Sequence, residues 1–203
     1  MSNEVKTKEK VNMDPKYIVK LAVTLFVTCV VVAGLLGFVN KLTLPNITAA
    51  NERKTAEAIQ QVLPEMEGSP TVMEVTGEMT AAASGAGATV TEAYEAQAGG
   101  SVIGHALKIV ASGSQGNIEM MVGVDAEGAV TGVSIVKNSE TSGIGSRVME
   151  NENGVLDQFI GKSAADGTLA VGTNVDAISG ATVSSRGVTT GVNAALAVAG
   201  VMG

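Results

Sequence analysis

Hydrophobic and polar positions divide the chain into two unequal parts. Residues 21–40 are twenty consecutive uncharged positions, mostly Val, Leu, Ala and Phe. At ~1.5 Å per residue such a stretch covers about 30 Å, the thickness of a bilayer's hydrocarbon core. Residues 18–40 therefore read as one transmembrane helix behind a polar tail, 1–17. No Ala-x-Ala-like site follows the span, so an uncleaved anchor is expected rather than a signal peptide. Leu44-Pro45-Asn46 then predicts a helix break. A new helix over 47–63 places Ala56, Ile59, Val62 and Leu63 at helical spacing and stops at Pro64. Residues 41–66 read as a stalk or edge helix for the domain that follows, 67–203.

Within that domain the pattern changes twice. Residues 67–88, rich in Gly, Ala, Ser and Thr, have weak periodicity and read as a loop or short irregular strands. From residue 89 the period shortens to two. Segments 89–96, 101–110, 118–124 and 130–136 predict four strands, with separators at Gly99-Gly100, 112–116 and Asp125-Ala126-Glu127-Gly128. The last separator is the clearest hairpin turn. Short helices are expected at 147–150 and 155–160, a last strand at 169–171, and a terminal helix over 183–198. Gly187 and Gly191 inside that helix each cost up to about 1 kcal/mol against Ala, so close packing there is expected. The fold class is α+β: an antiparallel meander sheet with flanking helices, carried on a single N-terminal transmembrane helix.

Charge gives the orientation. Lys6, Lys8, Lys10, Lys16 and Lys20 precede the span, against Lys41, Arg53 and Lys54 beyond it. The positive-inside rule puts the N-terminus in the cytoplasm and the domain outside it, in a cell (inner) membrane. Past residue 40 the chain has 8 basic and 17 acidic residues, a net of −9. Nucleic acid, which needs a basic footprint, is excluded as a partner. The one cysteine, Cys29, lies in the span, so no intrachain disulfide forms. The only histidine, His105, falls in a predicted strand, where a structural role is expected. No paired carboxylates, metal cluster or Ser/His/Asp arrangement is evident, so no catalytic residue and no metal ligand is assigned. Nor does a Gly-rich dinucleotide fingerprint follow a strand, which leaves NADH to react elsewhere.

The chemistry concentrates in Asp176-Ala177-Ile178-Ser179-Gly180-Ala181-Thr182-Val183. Ser179, Gly180 and Thr182 carry turn and N-cap chemistry at the mouth of the terminal helix. A helix N-terminus offers unpaired N–H groups and a positive dipole end to a phosphate, and Arg186, one turn on, adds a cation.

Asp-Ala-Ile-Ser-Gly-Ala-Thr followed by Val-Ser resembles the flavinylation motif of the FMN-binding subunits of ion-pumping electron-transfer complexes. Glu140-Thr141-Ser142-Gly143-Ile144-Gly145 is similar to that family's Glu-Thr-Pro-Gly-Leu-Gly, with Ser142 in place of Pro and Asn138 in place of a His. Gly113-Ser114-Gln115-Gly116 only partly matches a Gly-Tyr-Gly-Gly stretch. The chain resembles most the G subunits of Rnf complexes. The related C subunits of Na⁺-pumping NADH:quinone reductases share the motif but are usually longer.

That resemblance implies one FMN held by a phosphoester to Thr182, attached by a flavin transferase that recognises the motif including Asp176. It implies contacts from Glu140, Thr141, Ser142, Gly143, Gly145, Ser179, Gly180, Ala181 and Val183. It also implies work as an electron relay among integral-membrane redox subunits, between ferredoxin and NAD⁺, coupled to Na⁺ or H⁺ transport. Three alternatives remain at this point: a part of a Na⁺-pumping quinone reductase, a non-redox membrane-anchored binding or assembly module, and an extracytoplasmic reductase using the same tether with a soluble acceptor.

Overall fold

A computed structural model describes residues 15–202, so the polar tail lies outside the described residues up to position 14. Helix α1 (Pro15–Val62) opens the description as one continuous helix of 48 residues. The expected break at Leu44-Pro45-Asn46 does not occur, since Pro45 lies inside α1. Proline removes one backbone donor, but the apolar run before it and the Ala-, Glu- and Lys-containing run after it both favour helix. Among the described residues α1 is the one helix long and apolar enough to cross a membrane. Leu25, Phe26, Leu35 and Leu36 along it are exposed, as lipid-facing side chains are. The chain separates into two compact units between Asn51 and Glu52.

The second unit is built on a five-stranded antiparallel meander in the order β1-β2-β3-β4-β5. Its strands are β1 (Thr71–Met73), β2 (Thr89–Ala98), β3 (Ser101–Ser112), β4 (Asn117–Asp125) and β5 (Val130–Lys137). The four predicted strands are β2 to β5. The segment expected to be loop instead holds β1 and helix α2 (Gly77–Gly85). Thr76 caps α2 by accepting from Met79 N at 3.3 Å, and Met79 and Ala83 turn inward one helical turn apart. The strand expected at 169–171 is absent. Asn193 takes Leu169 N at 2.9 Å and donates to Leu169 O at 2.8 Å, so a helix side chain replaces a neighbouring strand there.

Strand β4 is covered on both faces. Ile118, Met120, Val122 and Val124 join Phe159, Val188, Val192 and Leu196, the last three from helix α4 (Thr182–Met202), in the larger core. Met121 joins Ala58, Ile59, Val62, Leu63, Ala96 and Ala106 in a second, smaller one. The C-terminal end of α1 is therefore part of this unit, packed on the sheet face that α4 does not use. Gly132 makes room for it, since a Cβ there would stand 3.1 Å from Val62 Cα. The Thr131 hydroxyl donates to Val62 O, and Ser134 Oγ donates to Gln61 Oε1 at 2.7 Å. On the other face α4 packs closely at Gly187 and Gly191, as its glycines lead one to expect.

Candidate functional site

The turn before α4 is held from inside by Val175, Ile178 and Ala181, all buried. Gln158, in a 3₁₀ turn at Asp157–Phe159, grips the main chain of Asp176. Its Oε1 accepts from Asp176 N at 2.7 Å, and its Nε2 donates to Asp176 O at 3.0 Å and Val155 O at 2.6 Å. Gly180 takes φ +84°, a conformation that a side chain would strain. Ser185 N donates to Ala181 O at 2.9 Å, closing the first helical turn and putting Ala181 at the N-cap. Side-chain capping from Ser179 or Thr182 is therefore not formed: Ser179 lies before the first turn, and Thr182 is already the first helical residue. Alanine has no oxygen to offer in their place. The N–H groups of Thr182, Val183 and Ser184 thus have no protein acceptor among the described residues, at the positive end of the helix dipole. Thr182 is half-buried, and its hydroxyl engages no protein group among the described residues.

The loop after β5 brings a carboxylate to the same place. Asn138 Oδ1 accepts from Glu140 N at 3.1 Å, Ile144 N and Ser146 N both reach Thr141 O at 3.2 Å, and Gly143 N donates to Ser146 Oγ at 2.9 Å. Glu140 then points across the loop. Its Oε1 accepts from Ser114 N at 2.8 Å and Gln115 N at 3.2 Å, and its Oε2 accepts from Ser184 Oγ at 2.5 Å. A Cβ at Gly113 or at Gly145 would overlap a Glu140 oxygen, so both positions must lack one. One carboxylate ties the β3–β4 loop, its own loop and the first turn of α4 together by charge-assisted bonds. Both oxygens of Glu140 are committed to the protein, so it builds the site more than it presents a free acceptor.

These segments enclose a cleft of about 170 Å³. Of the residues singled out in the sequence, Glu140, Thr141, Gly145, Gly180, Ala181, Thr182 and Val183 line it. Ser142 and Gly143 are exposed on the loop, Asp176 and Ser179 on the turn, and Arg186 on α4, all outside the lining. Ile144 and Ser184, inside the two motif stretches but given no role there, also line the cleft, as does Ser114. Sequence reasoning did not single out Ser114, or Gln158, which holds the turn. Arg147 was also missed. It forms a two-pronged pair with Glu152 (2.7 and 2.6 Å) and reaches Ser179 O at 3.5 Å. The partly matched 113–116 loop was the one available signal for Ser114. Two larger clefts, about 560 and 670 Å³, contain none of the singled-out residues. His105 lies elsewhere, on β3, where burial holds its imidazole below the usual histidine range despite the opposing charge of Glu95.

Two family models match the chain: the RnfG N-terminal region over residues 12–62 and the FMN-binding domain over residues 113–197. The second match runs from the β3–β4 loop into α4 and so takes in the whole cleft. The G subunit of the Na⁺-translocating ferredoxin:NAD⁺ oxidoreductase complex of Acetobacterium woodii is 35% identical, over 96% of this chain and 97% of that protein. The G subunit of the ion-translocating oxidoreductase complex of Methanosarcina acetivorans is 31% identical, over 90% of this chain and 95% of its own length. The crystal structure of the C subunit of Na⁺-translocating NADH-quinone reductase from Parabacteroides distasonis shares the fold. Its TM-score is 0.52 at 16% identity, covering 77% of this chain and 93% of that one. The fold, the anchor helix and near full-length similarity agree, and the chain belongs to the family of G subunits of ion-translocating oxidoreductase complexes.

Proposed function

We propose that this chain carries one FMN as a phosphoester on Thr182 and relays electrons inside a membrane complex. That complex couples transfer between ferredoxin and NAD⁺ to Na⁺ or H⁺ translocation. One observation carries the reading: a half-exposed Thr182 hydroxyl without a protein partner, at a helix start that no side chain caps. A phosphate there meets three N–H donors and the dipole end together. The family matches support the rest: an FMN-binding domain, an anchor helix, and relatives that are subunits of ion-translocating oxidoreductases.

The residues present fit the group. A cleft of about 170 Å³ is smaller than the ~300–1,000 Å³ of pockets that enclose a whole ligand. It suits the phosphate end, while exposed Ile144 and Val183 offer the ring an aliphatic face. An open ring is what an electron relay needs, because the neighbouring redox subunits must approach it. Grip on such a surface is weak, and the covalent tether makes occupancy independent of free FMN. When bound, FMN supplies the redox chemistry. The chain's own part is to hold the phosphate at α4, with Glu140 keeping the three surrounding segments in place.

The linkage forms without a change of oxidation state. A Thr182 Oγ–P bond replaces the bond between the FMN phosphate and AMP in a flavin dinucleotide donor, AMP leaves, and the hydroxyl proton passes to the catalysing enzyme's base. No histidine neighbours Thr182, so that enzyme is a separate flavin transferase. The anchor is α1, with its N-terminus in the cytoplasm and the FMN domain extracytoplasmic.

Intact-mass analysis of the chain produced with a flavin transferase tests the attachment. The parent is expected to be heavier by one ester-linked FMN, and Thr182→Ala to have none. An unmodified parent ends this reading.

A further inference from the structure

We propose that Gln158 is a positioning residue for the loading of Thr182, acting through Asp176. It fixes the main chain of Asp176 so that the carboxylate stands as a handle for a cationic group of the flavin transferase. This rests on the reading of Thr182 as the flavin-bearing residue.

The geometry supplies the argument. The Gln158 amide commits both of its N–H donors and one of its two acceptor sites locally. Its oxygen takes Asp176 N, and its nitrogen gives one proton to Asp176 O and one to Val155 O. Holding both the N–H and the C=O of one residue fixes that residue's backbone much as pairing in a sheet does. The platform beneath is itself stiff. Asn151, in the left-handed region at φ 54°, accepts from Leu156 N at 2.6 Å and donates to Asp157 Oδ1 at 2.9 Å. Leu156 and Phe159 pin the same segment into the core.

Asp176 sits between two buried anchors, Val175 and Ile178, which commit its main chain inward and leave its side chain exposed. Its carboxylate bonds to no protein group among the described residues. The fold thus commits three hydrogen bonds of one glutamine around a residue whose own charge it does not use. An enzyme delivering FMN to Thr182 approaches this turn, and a free carboxylate carried on a fixed main chain six positions earlier offers it a point of contact.

The test uses the full-length chain in detergent, purified without flavin, with flavin transferase and FAD. Initial rates of covalent fluorescence are followed against the concentration of the chain. Gln158→Leu is expected to raise the KM for the chain about tenfold with kcat within about twofold of the parent. Asp176→Asn should do the same, and the double variant should be no worse than Asp176→Asn alone, because both act through one contact. Gln158→Glu keeps the acceptor for Asp176 N but loses both donated bonds, so its KM should fall between. It also carries the test if the leucine variant does not fold. Parental KM in Gln158→Leu, a loss confined to kcat, or multiplicative losses in the double variant would overturn the proposal. A parent that takes no flavin, or a Thr182→Ala that still does, removes the underlying reading instead.

Discussion

Ser184 and Glu140 share a 2.5 Å hydrogen bond in which the serine is 1% exposed. Ser184→Ala therefore takes away the hydroxyl that donates to Glu140 Oε2. The expected loss is about 1–3 kcal/mol, the usual range for an orphaned partner of a charged group. It should appear as a lower urea midpoint with an unchanged slope.

His105 makes a pH-dependent contribution of known sign. Burial lowers its folded pKa below the ordinary histidine value of 6.5, so the unfolded chain takes up the proton first. Stability is unaffected well above pH 6.5, then falls as pH drops through that value toward the folded pKa. His105→Gln should flatten this slope in urea titrations between about pH 7 and pH 5. At this scale the Thr182 motif was legible in the sequence because it is contiguous. The bonds of Glu140 were not: its partners Ser114, Gln115 and Ser184 lie 26, 25 and 44 positions away, and no local pattern encodes such a contact.

The elements follow periodicity where side chains are large and lose it where they are small. Strands β2 to β5 are apolar runs rich in β-branched residues between Gly-containing separators, and their ends were readable within two positions. Helix α2 was not, because its inward face is Met79 and Ala83 amid other alanines, and hydrophobic contrast around the helix is slight. Helix α4 was readable, and its glycines separate two kinds of close contact. A Cβ at Gly187 would meet Ser112 O at 2.5 Å, a backbone atom of β3. At Gly191 it would meet Met120 Sδ at 2.5 Å and Cε at 2.6 Å, the end of a flexible side chain. Alanine gains up to about 1 kcal/mol of helix propensity at either position. Gly187→Ala should nonetheless destabilise by about 1–3 kcal/mol, since a strand cannot yield cheaply. Gly191→Ala should lie within about 1 kcal/mol of the parent, because the thioether can move aside. Denaturant unfolding of the two variants side by side checks the ranking, and an equal loss in both would refute it.

At the level of the whole molecule, the sequence suggested a helix break at Pro45, followed by a stalk or a helix packed on the domain edge. The structure has a helix that continues past Pro45 and ends packed against the sheet. A single proline is a strong local signal, but it is weaker than the combined preference of helical runs on both its sides. The packed end depends on Gly132, whose position opposite Gly123 in the β4–β5 register no local pattern reveals. Gly132→Val would drive a branched side chain into Val62 Cα, which stands 3.1 Å from even a Cβ. The end of α1 should lift from β4 and β5 and lose the bond from Thr131 to Val62 O. The cleft at Thr182 is built from the β3–β4 loop, the 140–145 loop and α4, which packs on the opposite sheet face. Hydrogen exchange should therefore rise in residues 55–63 of Gly132→Val, while covalent flavin loading at Thr182 proceeds at the parental rate. Loss of loading together with that protection would mean that the two faces of the sheet form one cooperative unit, and that the site depends on the docked helix.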